Sequence, residues 1–248
     1  MKECEDVIAR AVGLARNIRN LFRAVAEVDP EPMVTFARDR VVIVGISQDR
    51  AVIARFVVYP PFFTDYSFGG EKPHRVSFPA EELISWLPAR NVDAELLCTK
   101  DGFSLKIYSG TAVIERRIPT YGEKELPGPV DFKEAASVTI PVGELAESLR
   151  LMSKVAEFVD VDMTGSTLLI TAGPQARFEV ANEVEKAVDE GARSKFSIAL
   201  LGPLFDRLKN VVSSAKLTLM REGPMRVHVE EPSVHAEYYI APVLVEEE

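Results

Sequence analysis

Apolar residues recur along this chain with two alternating periods. A weak period of two over residues 7–12 predicts a short strand. Residues 15–28 then put Ile18, Leu21, Phe22 and Val25 at the i, i+3, i+4, i+7 spacing of one helix face, with Arg16, Arg19 and Arg23 together on another. Asp29 and Pro30 stop that helix, and runs rich in β-branched residues at 33–37, 41–44 and 51–59 predict strands. The arrangement then returns. Residues 76–78 are extended, Pro79 suits the first turn of a helix running to about 87, and strands follow at 94–98 and 103–108, joined at Asp101 and Gly102, and at 111–118. A strand at 137–140 leads to a helix over 142–155 and to strands at 158–163, 167–171 and 177–181, with a turn at Gly165. Residues 195–198 open a last round, in which a helix from about 201 to 213 precedes strands at 216–220, 225–229 and 234–240.

Helix starts near 15, 79, 141 and 201 lie 64, 62 and 60 residues apart, so an architecture of strand, helix and strands repeats four times although the residues do not. One such round cannot cover both faces of its sheet, and pairing two rounds solves that. The expected fold class is α+β: two similar domains, each of two strand-helix-strands repeats, with helices on one face of antiparallel sheets. The expected boundaries are 1–118 and 136–248, joined by a strap at 119–135, PTYGEKELPGPVDFKEA. There Pro119, Gly122, Pro127, Gly128 and Pro129 deny the backbone a helix or a central strand. Tyr121, Leu126, Val130 and Phe132 add apolar anchors that a free tether does not need. The strap is expected to lie extended on a surface, with a plain linker as the alternative.

With 248 residues, 47% of them hydrophobic, the chain can bury roughly 70–75% of its unfolded surface as one large domain or two small ones. Charges interrupt every apolar run before a bilayer-spanning length, and the start MKECED is too acidic for a signal peptide. No membrane partner is expected, and a cytoplasmic location is. Cys4 and Cys98 form no paired motif and His74, His228 and His235 are scattered, so no disulfide framework, metal or cofactor is expected. Net charge −9 excludes a protein coated in positive charge, but not a local basic face.

Catalytic patterns are sparse. Asp160 and Asp162 lie two apart on a predicted strand and share a face, as a carboxylate pair for a metal-dependent hydrolase would, but a solvated strand face is the favoured reading. No Gly-rich phosphate loop, nucleophile elbow or His-centred cluster occurs, and Cys98 reads as packing. The chain is not expected to be an enzyme.

The C-terminal EYYIAPVLVEEE (237–248) resembles the Tyr-Tyr-apolar-Ala-Pro ending and acidic tail of sliding clamps of the proliferating cell nuclear antigen (PCNA) family, most nearly the archaeal members. IPVGEL at 140–145, Ala9-Arg10, the Gly223-Pro224 turn and the strap, in the place of an interdomain connecting loop, support it by order and spacing. The resemblance covers essentially the whole chain. It implies a processivity factor: a three-subunit ring, homotrimer or heterotrimer, around duplex DNA, with helices lining the hole and no sequence readout.

On that resemblance the DNA-facing residues are Arg16, Arg19, Arg23, Arg150, Lys154, Arg207 and Lys209. The second helix departs from the pattern, with Glu81 and Glu82 and only Arg90 after it. Partners docking through a PIP-box-type peptide (DNA polymerase, the clamp loader, flap endonuclease and DNA ligase) would use Ile46, Ala51, Ile53, Leu126, Pro129, Pro224, Tyr239, Ala241 and Pro242. Gly128 stands where the family has an apolar side chain. Subunits would join an edge strand carrying Phe103, Leu105, Ile107 and Tyr108 to one carrying Arg177, Phe178 and Val180. The alternative function is a protein-interaction scaffold that never encircles DNA.

Overall fold

The computed structural model describes residues 7–126, 128, 134–164, 167–181, 184–187, 192–220 and 223–243. Its elements are β1 (Val7–Leu14), α1 (Ala15–Ala26), β2 (Met33–Phe36), β3 (Val41–Ile46), β4 (Val52–Val58), β5 (Asp65–Phe68), β6 (His74–Ser77), α2 (Ala80–Trp86), β7 (Asp93–Thr99), β8 (Gly102–Ser109) and β9 (Ala112–Ile118). There follow β10 (Glu134–Pro141), α3 (Val142–Met152), β11 (Phe158–Thr164), β12 (Thr167–Ala172), β13 (Ala176–Ala181), β14 (Val184–Ala187), β15 (Ala192–Ser197), α4 (Ile198–Leu208), β16 (Ser214–Met220), β17 (Met225–Glu231) and β18 (Val234–Ile240). The chain is α+β, and its four rounds each carry one helix. Two compact units result, one drawn from residues 7–48, 54–126 and 231–235, the other from residues 49–53, 128–230 and 236–243.

In the first unit an antiparallel sheet runs β5-β1-β7-β8-β9, and a second set of strands runs β6-β2-β3-β4. Alternation decides which side is buried: Ala9 and Ala11 of β1, Ala94, Leu96 and Cys98 of β7 and Phe103, Leu105 and Ile107 of β8 all turn inward. Onto them α1 lays Ile18, Leu21, Phe22 and Val25, the four residues its spacing predicts. Phe78 stacks on Phe103 with centroids 4.6 Å apart and meets Phe22 at 5.6 Å, closing the core beneath α2.

The second unit repeats the scheme with β13-β12-β11-β15 and β14-β10-β16-β17-β18. Here α3 buries Val142, Leu145, Leu149 and Met152, and α4 buries Ile198, Leu201, Leu204, Phe205 and Leu208. In each unit the two helices pack side by side.

Three expectations need correction. The strand at 103–108 is no edge: β8 is flanked by β7 and β9, and Phe103, Leu105 and Ile107 are core residues. Gly110, at φ +61°, turns the chain in a two-residue hairpin, so β9 folds onto the side of β8 taken as open. The edge is β9. The fourth helix starts at Ile198 rather than 201, which places Pro203 inside its second turn instead of the first. The turn between β7 and β8 is Lys100-Asp101, with Gly102 already paired to Thr99. Strands β5 and β14, absent from the sequence reading, lie on the outer sides of β1 and β10.

The strap is held otherwise than its apolar residues suggest. The Tyr121 N–H donates to Ser77 O at 2.7 Å, adding a bridge to the edge of β6, while the ring stays 47% exposed. Lys124 donates to Glu31 O at 2.7 Å and lies 3.6 Å from Asp29, and Arg75 pairs with Glu123 at 3.6 Å. Gly122 and Gly128 are exposed. Pro127, Pro129, Val130 and Phe132 fall outside the described residues, as do Cys4, Gly165 and the acidic end 246–248.

Candidate nucleic-acid interface and docking residues

The helix dipoles favour some of the charged positions on the helices. Glu81 and Glu82 sit in the first turn of α2 and Glu144 in that of α3, while Arg23, Arg150 and Arg207 occupy the last turns of α1, α3 and α4. The last turn of α2 has no basic residue, which is why its surface differs from the other three. Away from the buried stripes, Arg16 and Arg150 are exposed on their helices and Arg19, Arg23 and Arg207 half-buried, while Lys154 and Lys209 are exposed just past the ends of α3 and α4.

The two units differ in how these cations are held. Among the described residues no carboxylate is paired with Arg16 or Arg23. On α3, Arg150 donates from Nε to Glu147 Oε2 at 2.9 Å and from Nη2 to Oε1. On α4, Asp206 accepts from Lys209 Nζ at 2.6 Å and lies 3.9 Å from Arg207. The hydrogen bond from Arg150 holds the Glu147 carboxyl below the ordinary carboxylate range, helped by the charges of Lys209 and Lys154. Conversely Arg150 is held charged by Glu147, and Asp206 across the helix pair adds to this. The adjoining faces of α3 and α4 thus form a ladder of alternating sign. Glu147 and Asp206 were missed as site residues, although both stand three residues before a cation, the spacing that brings side chains together on a helix.

The docking residues divide between the units. In the first, Ile46 and Leu126 are half-buried. In the second, Ile53 lies on the outward side of β4, Tyr239 on the half-buried side of β18, and Pro224 before β17, while the Ala241 N–H donates to Ala51 O at 2.8 Å, with Pro242 next in the chain. Pro129 lies outside the described residues.

The proposed subunit-contact residues part company. Phe103, Leu105 and Ile107 are core, and Tyr108 donates its hydroxyl to Glu95 Oε2 at 2.9 Å. Arg177, Phe178 and Val180 do lie on an edge strand, β13, which pairs only with β12 among the described residues. The carboxylates of Asp160 and Asp162 are engaged: Asp160 is 3.6 Å from Arg193, and Asp162 accepts from Thr164. Among the described residues no group of three or more His, Cys, Asp or Glu could hold a metal, and no helix is long and apolar enough to cross a membrane.

The architecture matches solved structures over nearly its whole length. A PCNA2–PCNA3 complex from Sulfolobus tokodaii aligns with TM-score 0.83 at 16% identity, covering 94% of this chain and 98% of that one. The fold is that of a PCNA clamp subunit. PCNA from Entamoeba histolytica gives TM-score 0.83 at 12% identity over 96% of this chain and 100% of the other. A. fulgidus PCNA bound to the C-terminal region of FEN-1 gives 0.80 at 14% over 97% and 100%. No family model matches the sequence, and no curated protein matches it significantly. At such identities the likeness is one of fold.

Proposed function

We propose that the chain is a subunit of a DNA sliding clamp, a non-enzymatic processivity factor that closes in threes around duplex DNA and tethers replication and repair enzymes. The observation that carries this reading is the placement of basic side chains: in a chain of net charge −9, Arg16 and Arg150 are exposed on α1 and α3, Arg23 is half-buried on α1, and Lys154 and Lys209 are exposed just past the ends of α3 and α4. A ring with helices innermost concentrates those cations on phosphates without base contacts, and leaves the acidic surface outside. On this reading 119–135 is the connecting loop between domains 1–118 and 136–248. Subunits join through the open edges β9 and β13, and the polymerase, loader, ligase and flap nuclease dock by peptides at the Leu126, Pro224 and Tyr239 region. The protein works on the nucleoid in the cytoplasm. The A. fulgidus neighbour holds the C-terminal region of FEN-1, and the S. tokodaii neighbour is a complex of two clamp chains; both kinds of partner are proposed here.

A protein-interaction scaffold that does not encircle DNA is the second reading, favoured by the acids of α2 and by the Glu147 and Asp206 pairings. Retention on DNA separates the two. After loading on a nicked circle, the clamp stays bound through gel filtration at high salt and is lost when the circle is linearised; equal loss from both forms removes the encircling function. The Arg16→Glu, Arg23→Glu variant should abolish salt-sensitive binding to linear duplex.

A further inference from the structure

We propose that Asp29 is a positioning residue for peptide docking in the first unit. Its carboxylate holds the strap through Lys124 and the end of β3 through the Ile46 N–H, and so sets where the docking residues Leu126 and Ile46 stand relative to each other. The inference rests on the docking reading above and adds what keeps that surface in shape.

Asp29 is oriented by the body of the unit, independently of the strap. It lies between α1 and β2 with its side chain only 12% exposed. One of its oxygens accepts from the Glu31 N–H at 2.9 Å and the other from the Ile46 N–H at 3.3 Å. The bond to Ile46 is reached because Gly45 has no side chain where β3 passes: a Cβ there would stand 2.9 Å from Asp29 Cβ. The residues after Asp29 are pinned as well. Pro30 O accepts from the Ala80 N–H at 2.8 Å, and Glu31 O accepts from the Ser77 hydroxyl at 3.0 Å. Residues 29–31 therefore form a fixed post, tied to β3, to the end of β6 and to the first turn of α2.

The strap meets this post through one side chain. Lys124 Nζ donates to Glu31 O at 2.7 Å and lies 3.6 Å from Asp29 Oδ1 and 3.4 Å from the Glu31 carboxylate, so the three donors of the ammonium face one carbonyl and two acids. Exposed ion pairs count for little, largely because two mobile side chains must be ordered. Here the Asp29 carboxylate is already fixed and mostly out of water, and only the lysine loses rotamer freedom on pairing. Among the described residues of the strap, Lys124 is the last before Leu126 to bond the body of the unit. Upstream the hold is slight, with the Tyr121 N–H on Ser77 O and the exposed Arg75–Glu123 pair. When Lys124 lets go, Leu126 is free to move while Ile46 stays on Asp29, and a docking peptide meets half of its surface. Docking affinity then scales with the fraction of chains whose strap is fastened.

The test uses the full chain, a fluorescein-labelled synthetic peptide of PIP-box type, and amide hydrogen exchange read by NMR at Tyr121 and Ile46. The variants are Lys124→Met, Lys124→Arg and Asp29→Asn. Lys124 is 39% exposed, so Lys124→Met should keep the urea midpoint of the wild type. The expected result in Lys124→Met is faster exchange at Tyr121, unchanged exchange at Ile46, and a peptide Kd raised about fivefold or more. Lys124→Arg should recover both readings, and Asp29→Asn, which loses the charge and one acceptor, should weaken docking at least as much as Lys124→Met. A Lys124→Met variant that binds the peptide as the wild type does overturns the proposal and leaves the docking reading standing. A loss of affinity that Lys124→Arg does not recover overturns the ionic hold on the strap. A wild type that does not bind the peptide removes the docking reading, and this role of Asp29 with it, whatever the exchange shows.

Discussion

Arg150 reaches back one turn along α3 and holds the Glu147 carboxylate through two hydrogen bonds, the Nε one at 2.9 Å. Its charge is therefore shared with a neighbour before any phosphate competes for it. Glu147→Gln should strengthen binding to a short linear duplex and steepen its dependence on salt by about one unit of log-log slope, as one more phosphate contact does. Arg150→Glu should do the opposite. Fluorescence anisotropy over a salt series measures both, and an unchanged slope in Glu147→Gln excludes Arg150 from the phosphate-contacting set.

The same pair has a pH signature. Because the folded state lowers the Glu147 pKa, the stability this pairing supplies is present above the unfolded carboxylate value and is lost as pH falls through the lowered folded value. DNA affinity should rise over that acid window in the wild type and stay flat in Glu147→Gln, read by the same anisotropy series.

On the outer face of the first sheet, Glu95 is only 5% exposed and accepts from Arg10 Nε at 3.0 Å and from the Tyr108 hydroxyl. Arg10→Ala leaves that carboxylate short of its counter-charge and should cost about 3 kcal/mol in urea unfolding, as breaking a buried pair does. Tyr108→Phe should cost about 1.5 kcal/mol, one hydrogen bond to a charged group. Losses under half a kilocalorie would show that water replaces both donors.

Burial pushes the Cys98 thiol up to about 11, so the nucleophilic thiolate is scarce at neutral pH and the sulfur is enclosed. Native protein at pH 7.5 should resist maleimide at Cys98, with labelling tracking unfolding in a denaturant series. The sign for stability is opposite to that of Glu147: the contribution is complete below the unfolded thiol value and is lost as pH rises through about 11.

Gly45 lies where β3 passes the end of α1. A Cβ there would stand 2.9 Å from Asp29 Cβ and 3.3 Å from Val25 Cγ1. Asp29 is itself fixed, its carboxylate accepting from the N–H groups of Glu31 at 2.9 Å and Ile46 at 3.3 Å. Gly45→Ala should therefore lower stability by about 1–3 kcal/mol through overpacking, measured as a shift in urea midpoint at constant m-value.

What the linear chain determined by itself was whatever follows from local period and local charge. Four helices, the buried face of the first of them, most of the strands and the near-regular fourfold spacing all follow from side chains that recur at 2.0 or 3.6 residues. The Glu147–Arg150 and Asp206–Lys209 pairs were legible too, as i, i+3 spacings. Only the tertiary structure decided which strand is an edge, because Phe103, Leu105 and Ile107 face inward whether β8 has one neighbour or two, and that choice was made by a glycine turn bringing β9 back. β5 pairs along β1 although its burial alternates only between half-buried and exposed. The strap holds on by the Tyr121 backbone and Lys124, not by its aromatic ring. Arg116 meets Trp86 and Glu82 from 30 or more residues away in the sequence. Edges, bridges and such meetings depend on which distant backbones come together, and no local period encodes that.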